Sequence, residues 1–265
     1  MIPVFEIFGK EFSAYMITAL IGYLVVIYTM FKLAIKNKLD EYHILYMLLF
    51  AAIGILLGGH ILYGITNFDL IINMFKNIGE ISSFKEFMDN LTVIFGGSVF
   101  YGGMLGAVVI SYIYLKRNNL NMGRYFSLAI MAIPLFHFFG RVGCFLSGCC
   151  YGVEWQHGIT YHHALVDSAN GVPRFPVQLV EAVFNLVLFF VLLHIYNKSK
   201  HKAKTVYLYF IAYPVCRFIL EFLRGDEYRG FLFGLSTSQK ISIILFFASF
   251  GLMIYRYKTF YKKSE

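Results

Sequence analysis

Long apolar runs separated by short polar connections dominate the chain, and they recur at the length of a bilayer crossing. A helical span needs about 20 mostly apolar residues to cross about 30 Å of hydrocarbon. Runs of that kind lie near 12–35, 43–65, 94–115, 124–147, 176–197, 204–223 and 240–257. Glycines and polar residues interrupt the third and fourth. The stretch 68–89, FDLIINMFKNIGEISSFKEFMD, is too broken to span and reads as an interfacial amphipathic helix with a loop. No internal repeat or low-complexity tract is visible. The pattern predicts an all-α, polytopic membrane protein with seven transmembrane helices. No polar stretch is long enough to form a second core, so a single domain over residues 1–265 is expected.

Composition agrees with that pattern. Soluble domains carry about 25% charged and about 45–50% apolar residues. This chain is 14% charged and 58% hydrophobic, with a mean hydropathy of +0.65. So much apolar surface cannot be buried in a water-soluble core of this size, whereas a bilayer accepts it. Its 29 Phe and 20 Tyr also suit contact with lipid and the headgroup belt. The start, MIPVFEIFGKEFSAYM, lacks the basic region and small-residue cleavage site of a signal peptide.

The net charge of +8 changes the picture only through where it falls. Lys32, Lys36, Lys38, Lys116, Arg117 and Arg124 lie in connections on one side, as do Lys198, Lys200, Lys202 and Lys204 and the tail residues Arg256, Lys258, Lys262 and Lys263. The opposite side holds fewer: Lys10, Lys76, Lys85, Arg174, Arg224, Arg229 and Lys240. The positive-inside rule then puts the N-terminus outside and the C-terminus in the cytoplasm. No basic patch stands free of the spans, so nucleic acid is not an expected partner.

Charged groups within a span cost about 2.5–3.5 kcal/mol each on insertion scales and normally face a cavity or a partner. Three segments break the apolar pattern in this way, all towards the outer side. In IFGGSVFYGGMLG, residues 94–106, Gly102 and Gly103 leave backbone uncovered for a ligand headgroup or for another helix, and Tyr101 brings a hydroxyl. In HFFGRVGCFLSGCCYG, residues 137–152, Arg141 needs a counter-charge, and its planar fork suits either a phosphate or a buried glutamate. In YPVCRFILEFLRGDEYRG, residues 213–230, Arg217, Glu221 and Arg224 are spaced to share one helical face. Glu221 can pair with either arginine and leave the other for an anion, or all three can form a self-neutralising stripe. Asp226 and Arg229 follow as cap or rim. Finally, RFPVQLVEAVFN (174–185) supplies Gln178 and Glu181 after Pro176, and Glu181 is a candidate counter-ion for Arg141.

The cysteines are Cys144, Cys149, Cys150 and Cys216. They form no secreted disulfide framework, and C-x4-C-C matches no standard zinc spacing. Small-residue packing is the expectation, with a reactive thiol or a disulfide next and metal binding last. His162 and His163 read as an ordinary polar pair of an outer loop. Nothing in the pattern calls for a cofactor.

These segments together resemble the prolipoprotein diacylglyceryl transferase family of bacterial membrane enzymes. GRVGCFLSGCCYG is similar to that family's signature G-R-x-G-N-F-x-N-x-E-x-aromatic-G. The resemblance continues through AY at 14–15, GGSVFYGG, FPVQLVEA, CRFILEFLR and GLSTSQKIS at 234–242, in the family's order and over nearly the whole chain. It implies a multi-pass cell-membrane enzyme whose site opens to the extracytoplasmic side. Such an enzyme transfers the diacylglyceryl group of phosphatidylglycerol to the thiol of a lipobox cysteine of a prolipoprotein, releasing glycerol phosphate. By position, Arg141 and Arg217 would hold the lipid phosphate, Glu221 would organise the arginines and Tyr15 would line the lipid cavity.

Several positions depart from the family pattern. Tyr101 stands where the family often has a histidine favoured for proton transfer, and tyrosine, with a pKa of about 10, is a poorer base. Cys144, Ser147 and Cys149 replace the signature's Asn, Asn and Glu, and His60 in GGHILY replaces an arginine. The phosphate-holding residues persist while the acceptor side is rewritten. Besides the family reaction, this leaves open a divergent transferase with a non-lipoprotein acceptor, a non-catalytic lipid-binding or transport protein, and a covalent relay through Cys149 or Cys150.

Overall fold

A computed structural model of the chain describes residues 1–7, 9–77, 79, 83–97, 99–199, 201–226, 231–232 and 234–261, with backbone alone at Ile7, Phe100, Tyr101, Phe231, Leu232 and 256–261. It is mostly helical. Among the described residues, five stretches are long and apolar enough to cross a membrane: Ala14–Lys36, Glu41–Thr66, Met122–Ser147, Val177–Lys198 and Thr237–Tyr255. Their outward faces carry exposed apolar side chains such as Leu20, Leu24, Leu56, Val187, Phe190 and Phe247, as lipid contact requires. The chain divides into two compact units, Met1–Leu33 with Phe126–Glu265, and Ala34–Tyr125.

The second unit is built on α2 (Glu41–Thr66) and α5 (Phe100–Arg117). Asp40 starts α2 by accepting from the backbone N–H of Tyr42 at 2.9 Å and of His43 at 3.2 Å. α2 and α5 meet backbone to backbone through glycines. A Cβ on Gly58 would lie 2.2 Å from the carbonyl oxygen of Gly102, and one on Gly106 would lie 2.1 Å from that of Gly54. Two short helices, α3 (Phe68–Lys76) and α4 (Phe84–Phe95), stand between them in the chain. The stretch expected as one interfacial helix and a loop is therefore two amphipathic helices. The span expected from residue 94 begins only at Phe100, because the chain turns at Gly96 and Gly97.

The first unit opens with a hairpin, β1 (Val4–Ile7) on β2 (Lys10–Ser13), which feeds α1 (Ala14–Lys36). α6 (Met122–Ala129) and α7 (Ala132–Ser147) make one crossing with a break between them. Pro134 explains the break: it has no N–H for the carbonyl of Ile130 and its ring crowds that carbonyl. α8 (Val177–Lys198) packs on α7, α9 (Lys204–Glu221) on α8, and α10 (Thr237–Tyr261) on α9. Thr18 and Tyr15 of α1 lie against Gly143 of α7, where a Cβ would meet Thr18 Oγ1 at 2.2 Å.

Between α7 and α8 the chain makes a small folded segment with β3 (Glu154–Thr160) paired to β4 (Pro173–Arg174). Its core is Tyr151, Tyr161, Ala164 and Ala169. Arg174, 8% exposed, ties it together. It donates to the carbonyls of Ala169, Gly152 and Ser168 at 3.2, 3.3 and 2.7 Å, and its guanidinium lies 4.4 Å from the Tyr151 ring centroid.

Candidate active site

Three neighbouring helices of the first unit each place polar side chains one helical turn apart within otherwise apolar sequence. α7 supplies His137, Arg141 and Cys144, α8 supplies Gln178, Glu181 and Asn185, and α9 supplies Tyr213, Arg217 and Glu221. Spacings of three and four keep each set on one face. The faces meet at Glu181, whose side chain is 2% exposed. Its Oε2 lies 3.0 Å from Arg141 Nε and 3.4 Å from Arg217 Nη1, and its Oε1 accepts from the Tyr213 hydroxyl at 3.3 Å.

Arg217 is held at both ends. Its Nη2 lies 2.8 Å from Glu221 Oε2, one turn on, and 3.4 Å from Ser238 Oγ on α10. Two guanidinium groups thus meet two carboxylates, which removes the cost of isolated charge in the bundle. Arg141 differs from Arg217 in what it leaves over. Only its Nε is engaged, and among the described residues Nη1 and Nη2 have no hydrogen-bond partner. A guanidinium oriented through Nε presents its remaining fork to a planar or tetrahedral oxyanion.

The sequence expectations fall into groups. Arg141, Glu181, Arg217 and Glu221 come together, and the pairing of Arg141 with Glu181 is present. Arg224 is not on the helical face with Arg217 and Glu221. α9 ends at Glu221, and the chain turns away to pair Gly152 with Arg224 in a β-bridge, with Val153 N bonded to Leu223 O and Gly225 N to Tyr151 O. There Arg224 Nε donates to Asp226 Oδ1 at 2.8 Å and Nη2 to Oδ2. Gln178 is spent on the protein: it donates to Cys149 O at 2.8 Å and accepts from the Tyr161 hydroxyl at 3.0 Å. Burial pushes the Tyr161 hydroxyl above its usual range, so it stays a donor. Tyr15 is 46% exposed on α1, within electrostatic reach of Arg141 and Cys144.

In the second unit, His60 Nδ1 lies 2.7 Å from Phe95 O and 2.8 Å from Gly97 O. Both partners are carbonyls, so Nδ1 carries the hydrogen and donates. Gly102 and Gly103 pack closely on α2: a Cβ on Gly102 would lie 2.3 Å from Gly58 O, and one on Gly103 would lie 3.0 Å from Ile55 O. The side chain of Tyr101, and Arg229, lie outside the described residues.

The signature end of α7 brings three of the four cysteines together. Gly148 adopts φ +74°, and Cys149 N closes back on Cys144 O at 3.1 Å, a left-handed helix ending. A Cβ at Gly148 would strike Ala164 Cβ at 2.2 Å, so glycine is required there. The reversal gathers the sulfurs of Cys144, Cys149 and Cys150 within 4.8 Å of one another. All are free thiols. Hydrogen bonds from Cys144 and Cys149, with the Arg224 and Arg141 guanidinium groups nearby, hold the Cys150 thiol well below its ordinary range against the opposing effect of burial. Ser147, the other replaced signature position, is 2% exposed, and among the described residues its Oγ has no hydrogen-bond partner. His157, His162 and His163 do not join the cysteines.

A model of the prolipoprotein diacylglyceryl transferase family matches residues 3–255. A Clostridium tetani protein named phosphatidylglycerol–prolipoprotein diacylglyceryl transferase is 33% identical over 261 residues, covering 98% of each chain. A Clostridium perfringens protein, phosphatidylglycerol–prolipoprotein diacylglyceryl transferase 2, is 34% identical over 252 residues, covering 94% of this chain and 92% of its own. A Campylobacter lari protein with the first of these names is 30% identical over 268 residues, covering 95% and 92%.

Proposed function

Because the chain belongs to the prolipoprotein diacylglyceryl transferase family, we propose that it moves the diacylglyceryl group of phosphatidylglycerol onto the thiol of a prolipoprotein cysteine and releases glycerol phosphate. The observation that carries this reading is Arg141, fixed through Nε to a buried glutamate with its outer nitrogens open. In the reaction, the bond from the glyceryl carbon to phosphate oxygen breaks as carbon–sulfur bonding forms, and negative charge grows on the departing phosphate. A preoriented guanidinium stabilises that charge more than the starting diester, which is how such a group lowers a barrier. Arg217, clamped between Glu181, Glu221 and Ser238, keeps Glu181 charged and Arg141 aligned.

The protein works as a multi-pass membrane enzyme. The seven-span topology, with the N-terminus outside and the site on the extracytoplasmic side, rests on the distribution of Lys and Arg and on α5 and α9 crossing in addition to the five longer stretches. Each has 18 residues, which at about 1.5 Å per residue gives about 27 Å, close to one hydrocarbon thickness. A fluorescent protein fused after Glu265 should mature and fluoresce, whereas alkaline phosphatase there should be inactive; the opposite result overturns the topology.

A divergent transferase with another acceptor is favoured by one observation, the thiols of Cys144 and Cys149 at the signature positions of Asn and Glu. One experiment separates the readings. Purified protein is given phosphatidylglycerol and a lipobox peptide, and glycerol phosphate release and peptide mass are followed together. Release with a diacylglyceryl-modified peptide supports the family reaction. Release only with a different acceptor supports the second reading, and bound lipid with no release points to a binding or transport role.

A further inference from the structure

The three thiols at the end of α7 are placed by two independent backbone devices. The left-handed turn at Gly148 folds Cys149 back onto Cys144. Cys150 itself sits at φ 56°, a conformation that costs a residue with a side chain about 1–2 kcal/mol. Neighbouring residues of an extended chain point to opposite sides. With Cys150 in this unusual conformation, the sulfurs of both adjacent cysteines instead lie within 4.8 Å of each other and of Cys144 Sγ. Strain of this kind persists where the surrounding structure requires it, often at functional sites. Cys144 is 7% exposed and the other two are half-buried, so the cluster is sheltered but reachable.

We propose that Cys144, Cys149 and Cys150 form a three-thiolate site for a soft divalent cation, zinc above all, whose open fourth position takes and activates the acceptor thiol of the transfer reaction. This rests on the proposed transferase function and deepens it. Thiolates bind zinc at about 2.3 Å, so tetrahedral sulfurs stand about 3.8 Å apart, and the present cluster needs to close by no more than about 1 Å. Three protein ligands and one exchangeable position is the arrangement of catalytic rather than structural zinc. Three thiolates on a divalent cation leave excess negative charge; Arg141 and Arg224 lie within electrostatic reach of Cys150 and, being already paired with Glu181 and Asp226, temper that charge without neutralising it.

The chemistry supplies what the rewritten acceptor side lacks. A thiol that coordinates zinc gives up its proton, here to water, and becomes a bound thiolate. Its sulfur lone pair attacks the glyceryl carbon bonded to the phosphate of phosphatidylglycerol. The carbon–oxygen bond breaks with its electron pair on oxygen, giving glycerol phosphate and a thioether. Water then takes back the fourth position. Overall, lipid phosphodiester and thiol become thioether, glycerol phosphate and one released proton, with no change of oxidation state.

The test uses the full-length protein in detergent with its thiols reduced. After zinc loading and desalting, metal analysis should give about one zinc per chain, and cadmium titration should raise the ultraviolet sulfur-to-cadmium band to saturation at the same ratio. Bound zinc should shield Cys144, Cys149 and Cys150, but not Cys216, from iodoacetamide, as read by peptide mass. Cys149→Ser and Cys150→Ser should abolish both metal signals, and the shielding experiment decides the matter if those variants fold poorly. A strong chelator should stop diacylglyceryl transfer, and zinc should restore it. Absent metal, with all three thiols equally labelled in its presence, overturns the site, as does a disulfide between any two of Cys144, Cys149 and Cys150 that persists under reduction. Full transfer by the chelated protein overturns the metal's role and leaves the transferase reading standing. Stoichiometric zinc with no transfer to any lipobox peptide overturns the transferase reading and leaves the site standing.

Discussion

Arg141 on α7 and Glu181 on α8 meet at 3.0 Å between Nε and Oε2, and this contact fixes the arginine while leaving its outer nitrogens to an anion. The same carboxylate receives Arg217 at 3.4 Å, so one buried acid aligns two cations.

Replacing Glu181 with glutamine should therefore destabilise the fold rather than only slow the reaction. It leaves Arg141 and Arg217 facing each other with half their compensating charge removed, and breaking a buried pair costs about 3–5 kcal/mol. Thermal unfolding in detergent should show a clear fall in midpoint for Glu181→Gln. An unchanged midpoint would mean the pair contributes nothing to stability.

Arg141→Lys should keep the fold and lose the reaction. Lysine preserves charge near Glu181 but has no second set of fork nitrogens to present outward. Loss of one oriented donor at a developing anion typically costs about 100- to 1,000-fold in rate. Glycerol phosphate release should fall by that order with the unfolding midpoint near that of the parent. Wild-type turnover in this variant would remove Arg141 from the transition state.

The space around two glycines predicts opposite outcomes for substitution, one in the α2–α5 contact and one on α10. Gly106→Val puts carbon 2.1 Å from the Gly54 carbonyl, which only separation of the helices relieves, at about 1–3 kcal/mol or more. Gly251 of α10 has open space around its Cβ position, so Gly251→Ala should be neutral or slightly stabilising through helix propensity. Folded yield by size-exclusion chromatography should separate the two variants.

Arg174→Met should loosen the segment between α7 and α8 while sparing the helices. It removes donors to three carbonyls and the contact with Tyr151, and hydrogen bonds to a charged group are worth about 1.5–3 kcal/mol each. Limited proteolysis should then cut within 153–172 faster than in the parent. An equal cutting rate would show that the segment is held by its tyrosine core alone.

Much of the helical layout was legible because length and apolarity are local properties. α1, α2 and α8 begin and end within two residues of the expected spans. Arg141, Glu181, Arg217 and Glu221 were visible for a related reason: a charge inside an apolar run costs so much that it must have a partner or a task. The N-terminal hairpin was not legible, since Val4–Ser13 reads as the polar edge of a span and its pairing depends on a turn. Nor was the departure of Arg224 from the helical face, because α9 stops where Leu223 and Gly225 find backbone partners around Tyr151–Val153.

The cysteines mark the boundary between the two kinds of information. By itself the sequence determined that the chain lies in a membrane, which stretches are apolar helix, and which buried charges need one another, because periodicity and desolvation act residue by residue. It also showed three thiols near one another in the chain, but adjacency in sequence is no guide to where sulfurs point. Only the tertiary structure decided that they meet, and that Gly58 and Gly102 touch. Such contacts depend on left-handed turns at Gly148 and Cys150 and on which helix faces pack, and those are set by partners far away in the chain.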